Sequence, residues 1–215
     1  MISKGLIYKT QDYQESSKLL YVYTPYGKYT LVSKGSKNYK NPNHYLSDYL
    51  TLISFELDPD KPMQTLKQAV LIDDYQTIKK DYLKVQNASV ILMSIQFLLT
   101  DDLPHERLFN LIIQLLSFKD LNFAALTYMI KLTYGLGYEL SFKKEHAIGF
   151  NLSTGQTVTK DEALKPDLNM NETIGLMDLY YLTEEKEIEP NIKNTLIKFI
   201  KAYYAYHMDY DIKGL

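Results

Sequence analysis

Residues 13–37, YQESSKLLYVYTPYGKYTLVSKGSK, limit the possible folds of this chain more than any other segment. Hydrophobic and polar residues alternate on both sides of Thr24-Pro25-Tyr26-Gly27, with the period of two that is typical of half-buried strands. Proline holds φ at about −65° and glycine tolerates a positive φ, so these four residues suit a tight turn. The segment therefore predicts a β-hairpin.

The strand pattern continues through the first third of the chain. Strand-like runs surround Ile7 and cover residues 19–24, 29–34, 49–57 and 63–72. Five short strands in so short a segment predict a small barrel, and the oligonucleotide-binding (OB) type is the commonest barrel that fits.

Beyond residue 73 the hydrophobic residues recur every three or four positions, which predicts helices. The predicted helices cover residues 77–99, 106–118, 122–136, 173–182 and 192–206. We therefore predict an α+β protein with two domains. Residues 1–75 are predicted to form an N-terminal five-stranded OB-type β-barrel, and residues 76–215 are predicted to form a helical domain with a small β-like insert near residues 138–170.

Composition excludes some classes of protein. The chain contains no cysteine, which excludes disulfides and thiolate zinc sites. No run of about 18 apolar residues occurs, and the first ten residues lack the apolar core of a signal peptide. We expect a soluble cytoplasmic protein that does not bind membranes.

Charge is distributed unevenly along the chain. The formal net charge is −2, yet residues 1–40 contain seven lysines and two acidic residues. Single-stranded nucleic acid is bound by cations that follow its backbone and by aromatic rings that stack on its bases. The sequence therefore predicts a nucleic-acid-binding surface at the basic N-terminal end.

Strand alternation orders the candidate residues of that surface. It places Lys28, Thr30, Val32 and Lys34 on one side of their strand, opposite Tyr29, Leu31 and Ser33. The predicted phosphate contacts are Lys9, Lys18, Lys28, Lys34, Lys37 and Lys40, and the predicted stacking residues are Tyr13, Tyr21, Tyr23, Tyr26 and Tyr39. The alternative interpretation is that these lysines are ordinary solvated residues and that most of the tyrosines pack against the barrel.

Several of these motifs resemble the N-terminal barrel of the RecO family of bacterial DNA repair proteins. They are Ile7-Tyr8-Lys9-Thr10, residues 12–20, residues 24–28 and Lys34-Gly35-Ser36-Lys37, in the same order and spacing. Leu136-Gly137-Tyr138 resembles the end of a central helix in that family, and residues 203–213 resemble its C-terminal helix and tail.

The resemblance implies a recombination mediator of the RecF-type pathway. Such a protein binds single- and double-stranded DNA, anneals complementary strands and helps to load recombinase. The implied partners are RecR and the C-terminal tail of single-stranded DNA-binding protein. The resemblance brings no catalytic residues and no cofactor, so we expect the protein not to be an enzyme.

The chain departs from the family where many members carry a four-cysteine zinc module. It has no cysteine there, and His146 with nearby carboxylates is more typical of a surface residue than of a metal ligand. We therefore expect no metal and an insert that is held by packing alone. The charged run at residues 184–187 is predicted to be a solvated loop.

Two further hypotheses stay open. Lys131 lies on an apolar helix and is a candidate partner-binding residue for a hydrophobic tail with a terminal carboxylate, although a simple solvated lysine is the alternative. The protein is also a candidate interaction scaffold of the repair machinery that has lost strong DNA binding, because its overall charge is slightly acidic. A hydrolytic enzyme has no supporting arrangement of acids and histidines.

Overall fold

The computed structural model describes residues 1–143 and 145–215 and has an α+β fold, as predicted. In chain order the elements are β1 (Ile2–Tyr13), β2 (Ser17–Thr24), β3 (Gly27–Ser33), α1 (Asn43–Leu46), β4 (Thr51–Glu56), β5 (Met63–Thr65), β6 (Val70–Asp73), α2 (Gln76–Lys79), α3 (Tyr82–Phe97), α4 (His105–Leu116), α5 (Leu121–Gly135), β7 (Ala147–Asn151), β8 (Gln156–Thr159), β9 (Leu168–Asn169), α6 (Met170–Tyr181) and α7 (Pro190–Met208).

The chain divides into two compact units. The first comprises residues 1–85 and 92–114, and the second comprises residues 86–91 and 115–215. The predicted domains, residues 1–75 and 76–215, were defined by composition and hydrophobic period rather than by compactness, and they stay a prediction.

The first unit contains a six-stranded sheet in the order β5-β3-β2-β1-β4-β6. The predicted hairpin is confirmed: β2 pairs antiparallel with β3 from Lys18 to Gly27. Gly27 has a φ of 112°, which only glycine adopts without strain. Thr24 Oγ1 donates to Gly27 O at 3.0 Å and accepts from Tyr26 N at 3.1 Å, so the turn is also fixed by a side chain.

The prediction of a single strand over residues 63–72 is wrong in one respect, because two separate strands occupy this segment. β5 pairs parallel with β3 and β6 pairs antiparallel with β4, at opposite ends of the sheet. Gln68 has a φ of 48°, which breaks the extended backbone between them. No pairing among the described residues closes the sheet, so the five-stranded OB-type barrel is not confirmed.

The hydrophobic core of this unit lies against one face of the sheet. Its buried members are Ile7, Leu20, Val22, Tyr29, Leu31, Ile53, Phe55, Leu57 and Leu66. Gly5 allows the Val22 side chain to pack directly on the backbone of β1, because a Cβ at this position would lie 2.3 Å from Val22 Cγ1. The alternation predicted for β3 is confirmed, since Tyr29, Leu31 and Ser33 are buried and Lys28, Thr30 and Val32 are only partly buried.

The predicted helix over residues 77–99 is also divided. α2 ends at Lys79 and α3 begins at Tyr82, because Asp81 is extended and caps α3 by accepting from Leu83 N at 3.0 Å and Lys84 N at 3.2 Å. The other predicted helices are confirmed with small shifts of their ends.

The second unit is built around α5. This helix is apolar on all sides and most of its residues are buried, which is typical of a central core helix. It packs against α6 and α7, and α7 starts with Pro190 in its first turn, where proline is favourable.

The predicted β-like insert is a three-stranded sheet in the order β8-β7-β9. The prediction that packing alone holds this insert is wrong. The Asn151 side chain donates to Lys165 O at 2.9 Å and to Asp167 Oδ2 at 3.2 Å, and its Oδ1 accepts from Ser153 Oγ, Thr154 N and Thr154 Oγ1. Asp167 Oδ2 also accepts from Leu152 N at 2.7 Å. A hydrogen-bond network thus joins the β7–β8 turn to the segment that leads into β9.

Candidate nucleic-acid interface

The register of β1, β2 and β3 decides which predicted residues share a face. Lys9 lies opposite Tyr21, which lies opposite Thr30. Directly opposed residues of antiparallel strands project from the same face. Leu20 and Leu31 form the adjacent opposed pair and point into the core, so Lys9, Tyr21 and Thr30 lie on the outer face.

One end of the outer face is covered. Tyr23 is fully buried, and its hydroxyl lies 3.1 Å from His105 Nδ1. Its ring also contacts Phe109, with 6.1 Å between centroids. Lys28, which pairs with Tyr23, donates from Nζ to Leu99 O at 2.7 Å. The prediction that Tyr23 stacks on a base is therefore wrong, because its ring has no free face.

The other end of the outer face is accessible. We call its residues the open face: Tyr8, Lys9, Gln11, Tyr13, Tyr21, Thr30, Val32 and Lys34, all partly or fully exposed. The register of β1 and β2 shifts between Ile7 and Lys9, and Tyr8 lies near Tyr21, with 6.3 Å between ring centroids. A bulge that redirects a side chain in this way is a common feature of functional strands.

Tyr21 lies at the centre of the open face. Lys9 Nζ lies 5.1 Å from the centroid of its ring, and its hydroxyl donates to Gln11 Oε1 at 3.0 Å. Burial, with a smaller contribution from Tyr21, raises the pKa of Tyr8 to about 12. The Tyr8 phenol is therefore neutral at physiological pH, and Lys9 supplies the positive charge of this cluster.

The six predicted phosphate contacts fall into two groups. Lys18, Lys28 and Lys37 are used internally: Lys18 Nζ donates to Ser47 O at 3.2 Å from the core side of the sheet, and Lys37 Nζ lies 3.1 Å from Asp12 Oδ2 and donates to Gln14 O at 3.0 Å. The ammonium groups of Lys9, Lys34 and Lys40 form no hydrogen bond or ion pair with any residue that the structure describes. Lys40 lies 5.9 Å from the centroid of the Tyr39 ring.

The remaining predicted stacking residues are accessible to different extents. Tyr13 is partly buried at the end of β1, whereas Tyr26 in the hairpin turn is 55% exposed and Tyr39 is 67% exposed. Tyr45 in α1 is 70% exposed and was missed by the sequence analysis. Tyr45 does not lie in a segment where polar and hydrophobic residues alternate, so the sequence pattern does not indicate its orientation. Only the nearby Asn41-Pro42-Asn43 turn signal indicates a surface location.

The second unit contains the other candidate residues. Lys131 Nζ donates to Tyr180 O at 2.8 Å, and burial lowers the pKa of Lys131. Its role as a partner-binding residue stays a prediction. The charged run is exposed, as expected, but Glu185 also accepts hydrogen bonds from Lys119 N at 3.1 Å and Asp120 N at 2.9 Å.

Within residues 1–143 and 145–215, no three histidine, cysteine or acidic side chains are placed to hold a metal ion together. In the same part of the chain, no helix is both long and apolar enough to cross a membrane.

The fold and the open face define an α+β protein whose mostly antiparallel sheet presents tyrosine rings and lysines on one accessible face. Residues 1–75 match the family model for "Recombination protein O N terminal". The predicted resemblance to the RecO family is thus confirmed for residues 1–75.

Curated relatives extend the match beyond the sheet. The DNA repair protein RecO of Clostridium novyi (strain NT) is 28% identical over 148 residues, which cover 66% of this chain and 58% of that protein. The DNA repair protein RecO of Clostridium perfringens (strain 13 / Type A) is 32% identical over 139 residues, covering 64% and 52%. That of Mycoplasma capricolum subsp. capricolum is 29% identical over 113 residues, covering 51% and 45%. The chain spans about half the length of the curated relatives that it matches.

Proposed function

We propose that this protein is a non-enzymatic DNA-binding recombination mediator in DNA repair. It binds single- and double-stranded DNA, anneals complementary strands and helps to load recombinase in the RecF-type pathway. The match of residues 1–75 to the RecO N-terminal model and the names of the relatives support this proposal. They also support a cytoplasmic location.

The open face is the observation that carries the proposal. A surface that binds single strands needs cations for the phosphates and exposed rings for the bases. Lys9 and Tyr21 supply both within one cluster, and Lys34 adds a second free cation at the end of β3. An OB-type barrel binds its ligand across the same kind of strand face, so we propose that the sheet acts as an OB-type domain.

Annealing is consistent with this surface because it requires exchangeable binding rather than a reacting group. Electrostatic contacts with phosphates form and break as counterions exchange, so two bound strands can search for their complementary register. For this reason we propose that the protein acts without catalysis. RecR and the tail of single-stranded DNA-binding protein are its proposed partners, and Lys131 is the proposed contact for the tail.

The salt dependence of binding tests the proposal quantitatively. Among the six predicted phosphate contacts, three have ammonium groups without an internal partner: Lys9, Lys34 and Lys40. Each of these is expected to neutralise one phosphate. For three phosphates the slope of log K against log salt concentration is roughly −2 on single-stranded DNA. Binding of a labelled oligonucleotide, measured by fluorescence anisotropy at several salt concentrations, gives this slope. A flat response to salt would reject the proposed DNA binding.

A pair of charge reversals locates the site. Lys9→Glu with Lys34→Glu is expected to weaken single-strand binding by at least about tenfold and to bring the slope close to −0.7, since one neutralised phosphate remains. Lys67→Glu is the matched control, because Lys67 is an exposed lysine of the same unit outside the open face. Equal losses in both variants would mean that the open face is not the binding site.

The scaffold is the second candidate function. It is favoured by the internal contacts of Lys18, Lys28 and Lys37, which leave fewer cations for DNA than the sequence predicts. Charge reversal of Lys9 and Lys34 separates the two candidates in cells that depend on this protein for repair. If DNA binding is lost and repair continues, the scaffold is the correct function.

A further inference from the structure

The loop between β3 and β4 presents two exposed tyrosines on an ordered backbone. Tyr39 is 67% exposed and Tyr45 is 70% exposed. Neither ring packs on the core, although both lie in a segment whose other residues make many internal hydrogen bonds. We refer to residues 34–47 as the β3–β4 loop.

Side-chain and backbone contacts fix this loop at several points. Ser36 is fully buried, and its Oγ donates to Ser33 O at 2.8 Å. His44 Nδ1 lies 2.8 Å from Ser36 O, which joins the two arms of the loop. Ser33 and Ser47 form a buried pair of hydroxyls 2.7 Å apart at the base of the loop.

The loop is also attached to the β1–β2 turn. Lys37 N donates to Ser16 O at 2.9 Å, and Lys37 Nζ lies 3.1 Å from Asp12 Oδ2. Gly35 has a φ of 69°, and a Cβ at that position would lie 2.5 Å from the side-chain nitrogen Nδ2 of Asn41. The chain therefore turns sharply at Gly35 and is held next to the end of the sheet that carries Tyr13.

The loop also carries two exposed lysines, Lys34 and Lys40. The ammonium groups of Lys34 and Lys40 have no hydrogen-bond or ion-pair partner within residues 1–143 and 145–215, and Lys40 Nζ lies 5.9 Å from the centroid of the Tyr39 ring. His44 contacts the Tyr45 ring edge to face, with 5.5 Å between centroids, so the orientation of that ring is supported from one side. Exposed rings beside free cations are complementary to unpaired bases and their phosphates.

We propose that the β3–β4 loop is a preorganised platform for unpaired bases, with Tyr45 and Tyr39 as stacking residues, and that it makes the protein favour single-stranded over duplex DNA. The platform rests on the proposed DNA-binding function and adds strand selectivity to it. Bases of a duplex are already stacked on their neighbours, so they offer no free face to a tyrosine ring. A fixed loop loses little conformational entropy when a base stacks on it.

Alanine substitutions of the two rings test this platform. Tyr39→Ala with Tyr45→Ala is expected to weaken binding of a short single-stranded oligonucleotide by about 25-fold or more, because each of the two stacked bases contributes a factor of roughly 5 or more. Binding of a duplex of the same length is expected to change by less than about twofold. The salt slope is expected to stay the same, since no cation is removed.

Two controls make the result decisive. Tyr82→Ala is the matched variant, because Tyr82 is 80% exposed in the same unit but lies outside the loop. Tyr45→Phe is expected to retain single-strand binding, since stacking needs the ring and not the hydroxyl. Equal effects of the double variant on single strands and duplex, or no effect on either, would overturn the platform. If the wild-type protein bound neither DNA, the proposed function itself would fail, and the lysine variants on the open face would show no loss.

Discussion

The individual residues of the open face show how hydrogen bonding selects among sequence candidates. Lysines are chemically equivalent in the sequence, yet Lys28 is tied to a backbone carbonyl and Lys9 lies free above an aromatic ring. The difference arises from what the fold places within reach of each ammonium group. The count of available cations, and therefore the salt dependence, is a property of the folded chain.

Thr127 provides a residue-scale prediction about stability. Its hydroxyl is buried in α5, and within the described residues its Oγ1 has no hydrogen-bond partner. Thr127→Val keeps the shape and the β-branching and removes the unsatisfied group, so we expect the free energy of unfolding to rise by about 1 kcal/mol. Thermal unfolding followed by circular dichroism should show a midpoint about 2–4 °C higher.

Thr133 is the matched control in the same helix. It is also fully buried, but its Oγ1 donates to Ile130 O at 2.8 Å. Thr133→Val is therefore expected to be neutral or destabilising. A similar gain in both variants would indicate that the effect comes from hydrophobicity and not from the unsatisfied hydroxyl of Thr127.

At the scale of elements, the insert shows how a polar network stabilises a small sheet. Asn151 is nearly buried in β7 and joins the β7–β8 turn to the segment that leads into β9. Phe150 adds packing, with ring centroids 5.3 Å from Phe142 and 5.8 Å from Phe199. The small sheet is thus stabilised both by hydrogen bonds and by aromatic contacts.

Removal of this network should loosen the insert. Asn151→Ala is expected to lower the free energy of unfolding by about 2 kcal/mol, because several hydrogen bonds are lost from one nearly buried site. Amide hydrogen exchange should accelerate in β7 and β8 and stay unchanged in β1–β3 of the other unit. Ser153→Ala removes a single bond of the network, so its cost should be only about 0.5–1 kcal/mol. If Asn151→Ala leaves exchange in β7 unchanged, the network does not hold the insert.

For the whole molecule, tyrosine content determines how the protein responds to alkaline pH. The chain has 20 tyrosines, and burial raises the pKa of Tyr8, Tyr180 and Tyr203 to about 12. Burial also raises the pKa of Tyr204, whose hydroxyl donates to Met129 O at 2.9 Å. Each of these phenols stays protonated in the folded protein at a pH where it ionises in the unfolded chain.

The direction of the pH dependence follows from this difference. Between pH 10 and about 12 the unfolded chain loses protons that the folded protein retains, so ionisation favours unfolding and stability falls as the pH rises. Lys131 acts in the opposite direction, since burial lowers its pKa, but it is a single group. Denaturant titrations at pH 9, 10 and 11, read together with tyrosinate absorbance, should show a steady loss of stability. Full titration of all tyrosines near pH 10 without unfolding would contradict this expectation.

The sequence by itself determined the β-hairpin, the α+β class, most helix positions and the resemblance of residues 1–75 to the RecO family. These features depend on local chemistry: alternation in residues 19–34, the proline-glycine turn and the three-and-four spacing of apolar residues. The sequence did not determine where helices and strands are interrupted. The positive φ of Gln68 interrupts one predicted strand and the extended backbone of Asp81 interrupts one predicted helix, and the hydrophobic pattern indicates neither.

Only the tertiary structure decided which candidates can meet a ligand. Tyr23 and Tyr21 alternate with core residues in the same way, yet Tyr23 is buried against His105 and Tyr21 is accessible beside Lys9. Three lysines have internal partners that are distant in sequence or on the other side of a turn: Lys18, Lys28 and Lys37. Tyr45 is exposed because its loop folds back on Ser36. The physical reason is that strand periodicity fixes the face on which a side chain lies, whereas burial and pairing depend on what the rest of the chain places against that face.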